Sequence, residues 1–301
     1  MPSVRRGRAQ RGGQRADPRL RGTMPGEGAA LRRCQAGRSG ARTTMTTSTS
    51  SAGQTKHPRP ATRAAWAALN AVQLAFALLW SAACISAALV VFALTRRRAA
   101  PLAMARRLWA PGLLHGAGAR VEVEGTDELD AASAYLFAAN HQSNIDVPAL
   151  FVALPAPLRF VVKRELRAVP FLGWYIAAMG MVFVDRTGPR DAVKSMWRVP
   201  EILRAGQSVA CFPEGTRSRD GAIRPFKSGS IAMAIEAGVP VVPVALIGTG
   251  GVLPPHGFRV RPGVLRVRVG RPIATAGLAV SQRGELARRV RDEVERLYAG
   301  R

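Results

Sequence analysis

The sequence predicts an α/β fold with a mostly parallel central sheet flanked by helices, preceded by an N-terminal membrane-associated helix or helix pair. Two observations carry this. Seven short β-rich runs, at Val121 to Val123, Tyr135 to Ala138, Phe160 to Val162, Met181 to Val184, Ser208 to Phe212, Val239 to Ile247 and Val264 to Val269, alternate with helical-looking segments. That rhythm is the pattern of strands joined by helical crossovers. Ahead of them, Ala64 to Leu94 contains no charged residue and is flanked by Arg63 and by Arg96, Arg97 and Arg98.

The chain has 301 residues, enough for one large α/β domain with tails. Residues 1–62 are rich in Arg, Gly, Ser, Thr and Pro and poor in large apolar side chains, a composition that cannot offset the entropy of ordering itself. They are expected to form a disordered basic tail. Met24 and Met45 offer alternative starts, so part or all of residues 1–44 is expected to be absent from the native protein. A basic tail lying on an anionic membrane surface is the other reading.

Residues 63–98 are expected to be the membrane anchor. At about 1.5 Å per residue, a straight helix over Ala64 to Leu94 exceeds a hydrocarbon core of roughly 30 Å, so it either tilts or folds as two shorter helices. Under the two-helix reading Trp66 and Trp80 suit the membrane interface, and basic flanks on both sides leave the orientation open. A buried core helix and a cleaved signal peptide are the alternatives; the segment is too long and starts too far from Met1 for the latter.

Residues 99–301 are expected to form the domain that carries the chemistry. Its last segment, Arg283 to Leu297, reads as a charged amphipathic helix with a solvated face and no chemistry. Gly248-Thr249-Gly250-Gly251 looks like a nucleotide loop only superficially, since the following helix and acidic residue are missing.

The net charge of +25 raises the question of nucleic acid, but its distribution argues otherwise. Residues 1–63 hold 14 Arg and Lys against Asp17 and Glu27, and the remaining domain is only moderately basic. No nucleic-acid partner is expected. Cys34, Cys84 and Cys211 match no metal or redox spacing and read as unpaired thiols, with Cys211 in the core.

Four blocks stand out. The buried strand ending at Ala139 runs into Asn140-His141-Gln142-Ser143-Asn144-Ile145-Asp146, and strand ends of this kind are where open α/β sheets place active sites. If a helix starts near Ser143 or Asn144, the Asp146 carboxylate can accept a bond from one imidazole nitrogen of His141 and leave the other free to take a proton. Read alone, the spacing equally fits a capped helix beside a satisfied histidine. Phe212-Pro213-Glu214-Gly215-Thr216-Arg217 is a strand running into a polar loop whose backbone donors and arginine fork suit a phosphate, or a tight turn with an ion pair between Glu214 and Arg217. Lys163-Arg164-Glu165-Leu166 precedes Pro170 to Val184, an uncharged stretch too short to span a bilayer. It reads as an acyl-chain groove or interfacial insertion, or as a buried helix followed by a core strand. Val239 to Val244 is the fourth.

In this order and spacing the blocks resemble the lysophospholipid (glycerolipid) acyltransferase family, most closely its bacterial 1-acyl-sn-glycerol-3-phosphate acyltransferase branch, over roughly residues 105–275. The resemblance implies that His141, of the motif in which His and Asp are separated by four residues, is the general base and Asp146 its orienter. It implies acylation of the sn-2 hydroxyl of lysophosphatidic acid by an acyl thioester to give phosphatidic acid, with no acyl-enzyme. The absence of a GxSxG elbow fits direct transfer. Lys163, Glu214, Gly215, Thr216, Arg217 and Arg186 would bind the acceptor phosphate, Arg217 as a bidentate fork and Lys163 as a point charge. Glu214 would orient Arg217 or a glycerol hydroxyl. Acyl-CoA or acyl-carrier protein would be the donor, no metal or other cofactor would be needed, and the protein would sit on the cell membrane with its site at the cytoplasmic face.

Two other readings stand beside this one. The acceptor could be glycerol 3-phosphate, another lysophospholipid or a lyso-aminolipid; or the chain could be a membrane-anchored basic binding protein with an inert His/Asp pair.

Overall fold

A computed structural model describes residues 60–185 and 187–300. Arg186, Cys34 and nearly all of the expected tail, with Met24 and Met45, lie outside the described residues; Pro60 to Thr62 already belong to the first helix.

Pro60–Thr95 is one continuous 36-residue helix, α1, not two shorter ones. At 1.5 Å per residue it runs about 54 Å, well past a bilayer core. Ala64–Thr95 is long and apolar enough to cross a membrane, and only 17% of its apolar window is buried, which does not fit a core helix. Leu78, Leu79, Val90 and Leu94 are exposed.

A second helical run follows: α2 (Ala99–Met104), a π-helical turn (Ala105–Trp109) and α3 (Ala110–Gly116). It seats α1 through two glycine notches one turn apart. A Cβ on Gly112 would stand 2.3 Å from the Trp80 indole, and one on Gly116 would stand 2.3 Å from the Phe76 ring. Those rings stack at 5.9 Å, and the Trp80 N–H donates to the Trp109 carbonyl at 3.2 Å. Trp80 is therefore a packing residue, and only Trp66 is left free for the interfacial place expected of both; it is 48% exposed.

The remaining elements are β1 (Ala119–Glu124), β2 (Leu136–Ala139), α4 (Asp146–Ala153), β3 (Leu158–Lys163), a 3-10 turn (Arg164–Ala168), α5 (Leu172–Ala178), β4 (Val182–Val184), α6 (Pro189–Ser195), α7 (Val199–Arg204), β5 (Ser208–Cys211), α8 (Ser228–Ala237), β6 (Val241–Ile247), α9 (Thr249–Val252), β7 (Gly263–Val269) and α10 (Arg283–Ala299). All seven expected strands are present. They form one sheet in the order β1-β7-β6-β2-β5-β3-β4, parallel throughout except between β6 and β7.

The sheet is covered on both faces, which is why its central strands are apolar at nearly every position rather than alternately. Phe137, Ala139, Ala210, Val242, Val244 and Leu246 point into a core shared with α2 to α5, while Leu136, Ala138, Val209, Cys211, Val241 and Ala245 point into one shared with α7, α8 and α10. Ile85 and Ala88 of α1 join the first core. Cys211 is a core residue as expected, its thiol pushed up to about 12 by burial despite a hydrogen bond with Ser230.

Three local readings change. α4 begins at Asp146, so that residue opens the helix instead of lying a turn inside it. A helical turn, α9, does follow Gly248, and it packs beside the β2–α4 loop. Helix α10 is amphipathic, burying Leu286, Ala287, Val290 and Val294, but its end reaches the site: the Gln142 amide donates to the Tyr298 hydroxyl at 3.1 Å.

Candidate active site

Strand β2 lies at the middle of the sheet with β5 and β6 on either side, so the loop at its carboxyl end opens where the chain connections diverge to opposite halves of the sheet. Asn140 closes the strand. Buried completely, it accepts the Leu246 N–H at 2.7 Å and donates to the Leu246 carbonyl at 2.9 Å, fastening β2 to the end of β6. His141 then leaves the sheet.

The Asp146 carboxylate is fully buried and organises the loop around one oxygen. Its Oδ2 accepts the backbone N–H of Gln142 and of Ser143, each at 2.8 Å, and lies 2.7 Å from His141 Nδ1. An oxygen already accepting two N–H groups selects the imidazole tautomer that donates from Nδ1, which leaves Nε2 with its lone pair. Asp146 Oδ1 is buried with no hydrogen-bond partner among the described residues.

The backbone of His141 is held just as firmly. Its N–H donates to Glu214 Oε1 at 2.7 Å, and its carbonyl accepts the Ser218 N–H at 2.8 Å. Its ring stacks on Phe212 with centroids 3.9 Å apart and planes at 14°. Ring face, ring nitrogen and main chain are thus each fixed by a different partner.

Glu214 does not orient Arg217. Its carboxylate is buried, and its second oxygen accepts the Arg224 N–H at 3.0 Å, so it ties the histidine loop to the loop after β5. Burial raises the acid above the ordinary glutamate value, with the N–H bonds from Arg224 and His141 working the other way. The alternative ion pair between Glu214 and Arg217 is absent among the described residues.

A cavity of about 550 Å³ opens at this loop. At its mouth stand His141, Lys163, Gly215, Thr216 and Arg217; its depth is lined by Ile85, Ala88, Met104, Trp109, Tyr175 and Met181. One end is therefore cationic and hydrogen-bonding and the other apolar, the form of a site for an amphiphile. Lys163 is half exposed and already paired with Glu165 at 2.9 Å, whereas Arg217 has no ion pair among the described residues. Gly215 has φ +80, and a Cβ there would stand 2.8 Å from Lys227 Nζ, so only glycine fits the turn. Lys227 thus joins the expected residues at the rim. Of the expected set, His141, Asp146, Lys163, Glu214, Gly215, Thr216 and Arg217 meet in or beside this cavity.

The stretch from Pro170 to Val184 forms a helix followed by a core strand, α5 and β4, and it also lines the cavity. Leu172, Tyr175, Ile176 and Met181 face the cavity, while Phe171 and Trp174 are exposed. Phe171 takes φ +60, a left-handed backbone rarely adopted by a bulky side chain.

Residues 120–247 match the protein-family model described as Acyltransferase. A chloroplastic 1-acyl-sn-glycerol-3-phosphate acyltransferase of Brassica napus is 36% identical over 51% of this chain and 45% of its own length. The 1-acyl-sn-glycerol-3-phosphate acyltransferase of Saccharomyces cerevisiae is 33% identical over 59% of this chain and 59% of its own. The chain spans about half the length of these curated relatives. Among solved structures, the 1-acyl-sn-glycerophosphate (LPA) acyltransferase PlsC from Thermotoga maritima superposes with a TM-score of 0.68 at 27% identity, covering 79% of this chain and 96% of that one. It shares the fold described above.

Proposed function

We propose, from the match of residues 120–247 to the Acyltransferase family model and from the site geometry, that this chain transfers a fatty acyl group from an acyl thioester to the sn-2 hydroxyl of 1-acylglycerol 3-phosphate, making phosphatidic acid at a membrane. The observation that carries the reading is the position of His141. Its ring, tied to Asp146 at 2.7 Å, lines one cavity together with the cationic side chains Lys163 and Arg217 and with an apolar set of residues. The substrates divide along the same line, into a phosphorylated glycerol and an acyl chain.

His141 Nε2 removes the proton of the sn-2 hydroxyl as its oxygen attacks the thioester carbonyl. The tetrahedral adduct collapses by breaking the C–S bond, and the imidazolium returns its proton to the departing thiolate. Products are phosphatidic acid and a free thiol. A positioned base contributes about 10²- to 10⁴-fold, and Asp146 stabilises the imidazolium while it exists. Arg217, Thr216 and the Gly215 backbone hold the acceptor phosphate, with Lys163 and Lys227 adding charge at the rim. Arg186, which the resemblance also assigns to the phosphate, lies outside the described residues. The apolar depth takes an acyl chain.

The direct test uses the purified protein with a panel of acceptors (lysophosphatidic acid, glycerol 3-phosphate, other lysophospholipids) and donors (acyl-CoA and acyl-carrier protein). Lysophosphatidic acid is expected to be the preferred acceptor; preference for an acceptor without a phosphate monoester would sink the reading. Arg217→Lys keeps the charge and removes the fork. The acceptor KM is expected to rise roughly tenfold, the size of one lost charge-assisted bond, with the thioester KM largely intact. An unchanged acceptor KM would remove Arg217 from the phosphate site.

A further inference from the structure

Two guanidinium groups meet at the other end of the sheet, and a third arginine adds its charge to them. Arg159 is the second residue of β3 and Lys163, at the cavity mouth, is its last, so about 13 Å of extended strand separates them. Arg159 is 6% exposed, and its Nε donates to the carbonyl of Met179 at 3.0 Å, just beyond the end of α5. Arg98, the exposed residue before α2, donates from Nε to the neighbouring Ala178 carbonyl at 2.8 Å. Gly180 stands between them: a Cβ on it would lie 3.5 Å from Nε of Arg159 and 3.6 Å from Nε of Arg98. The two Nε atoms are therefore no farther apart than the sum of these distances. Arg198, exposed ahead of α7, is the third member; burial first, then the charges of Arg98 and Arg198, lower the Arg159 guanidinium from its ordinary value.

No carboxylate forms an ion pair with any of the three among the described residues. Helix-end carbonyls offset part of the repulsion, yet a buried guanidinium beside two more and no acid is a site shaped for an anion. Its surroundings indicate which. Arg198 lies 6.0 Å from the ring centroid of Trp197, which is 61% exposed, and Arg98 lies 5.8 Å from that of Phe92. Leu94, 80% exposed, is the last apolar residue of that helix, which ends at Thr95. Exposed apolar and aromatic groups interleaved with arginines, at the end of a membrane-length helix, are the side chains of a lipid headgroup layer.

We propose that Arg98, Arg159 and Arg198 form a phosphate-binding site, separate from the His141 cavity, that takes the headgroup phosphate of an anionic phospholipid. Binding there fastens α5 and the start of α2, two walls of the cavity, to the membrane surface.

The test measures thermal unfolding of the full-length protein in detergent, titrated with phosphatidylglycerol, with phosphatidylcholine or with inorganic phosphate. Phosphatidylglycerol is expected to raise the Tm, and the exposed double variant Arg98→Gln/Arg198→Gln is expected to need on the order of tenfold more for half the effect. Turnover without added phosphatidylglycerol should be unchanged in that variant. An equal, Arg-dependent shift with inorganic phosphate would support the site and make its ligand a free anion; a shift with phosphatidylglycerol alone would assign the headgroup. A response indistinguishable between wild type and variant would overturn the proposal. So would an equal loss in Arg288→Gln/Arg289→Gln, which removes the same charge from exposed positions on α10.

Discussion

Asp146→Asn is expected to lower kcat by about 10²- to 10⁴-fold while leaving the fold in place. The substituted side chain has the same shape, and its amide oxygen can still accept from Gln142 and Ser143, as Asp146 Oδ2 does at 2.8 Å. What it cannot do is supply a charge. The amide nitrogen is kept out of the Oδ2 place, where it would face the Gln142 and Ser143 N–H groups, so the amide oxygen takes all three contacts and the imidazolium forms without a counter-charge. Turnover falls more than substrate KM changes, with the melting temperature close to wild type. An unchanged kcat would mean that Asp146 serves only to shape the loop.

Glu214→Ala is expected to lower both stability and rate. It strips the acceptor from two N–H groups, those of His141 and Arg224. Both bonds are only part-buried, so each orphaned donor costs less than the roughly 1–3 kcal/mol of a buried one, and for a domain of this size one kcal/mol moves the Tm by about 2–4 °C. The histidine loop also loses its tie to the loop that carries Gly215 to Arg217, so kcat and acceptor KM should deteriorate together. Glu214→Gln retains one acceptor oxygen and is expected to fall between wild type and the alanine variant by both measures. Equal behaviour of glutamine and alanine would contradict this account of the two bonds.

Much of the fold is legible because the sheet is buried on both sides, so each strand announces itself as an apolar run, and the resemblance supplies their arrangement. The start of α4 was less legible for a physical reason. Ser143 and Asn144 are the better capping residues by type, but the loop wraps around the Asp146 oxygen, and the helix can begin only after it. Glu214 could not be placed from its neighbours, since its partner His141 is 73 residues away in the chain. The same holds for the Phe212 ring under His141, for Lys227 over Gly215, and for the notches at Gly112 and Gly116 that capture α1. Local spacing reported the carboxylate five residues from its histidine. It was silent on everything that approaches from another strand.

The central claim, acyl transfer with His141 as base, is tested most directly by phosphatidic acid formation from lysophosphatidic acid and an acyl thioester, comparing membranes that carry wild type with membranes that carry equal amounts of His141→Ala. The account predicts thioester-dependent product with wild type and a rate lower by at least about 10²-fold with the variant. Equal rates in the two would contradict it.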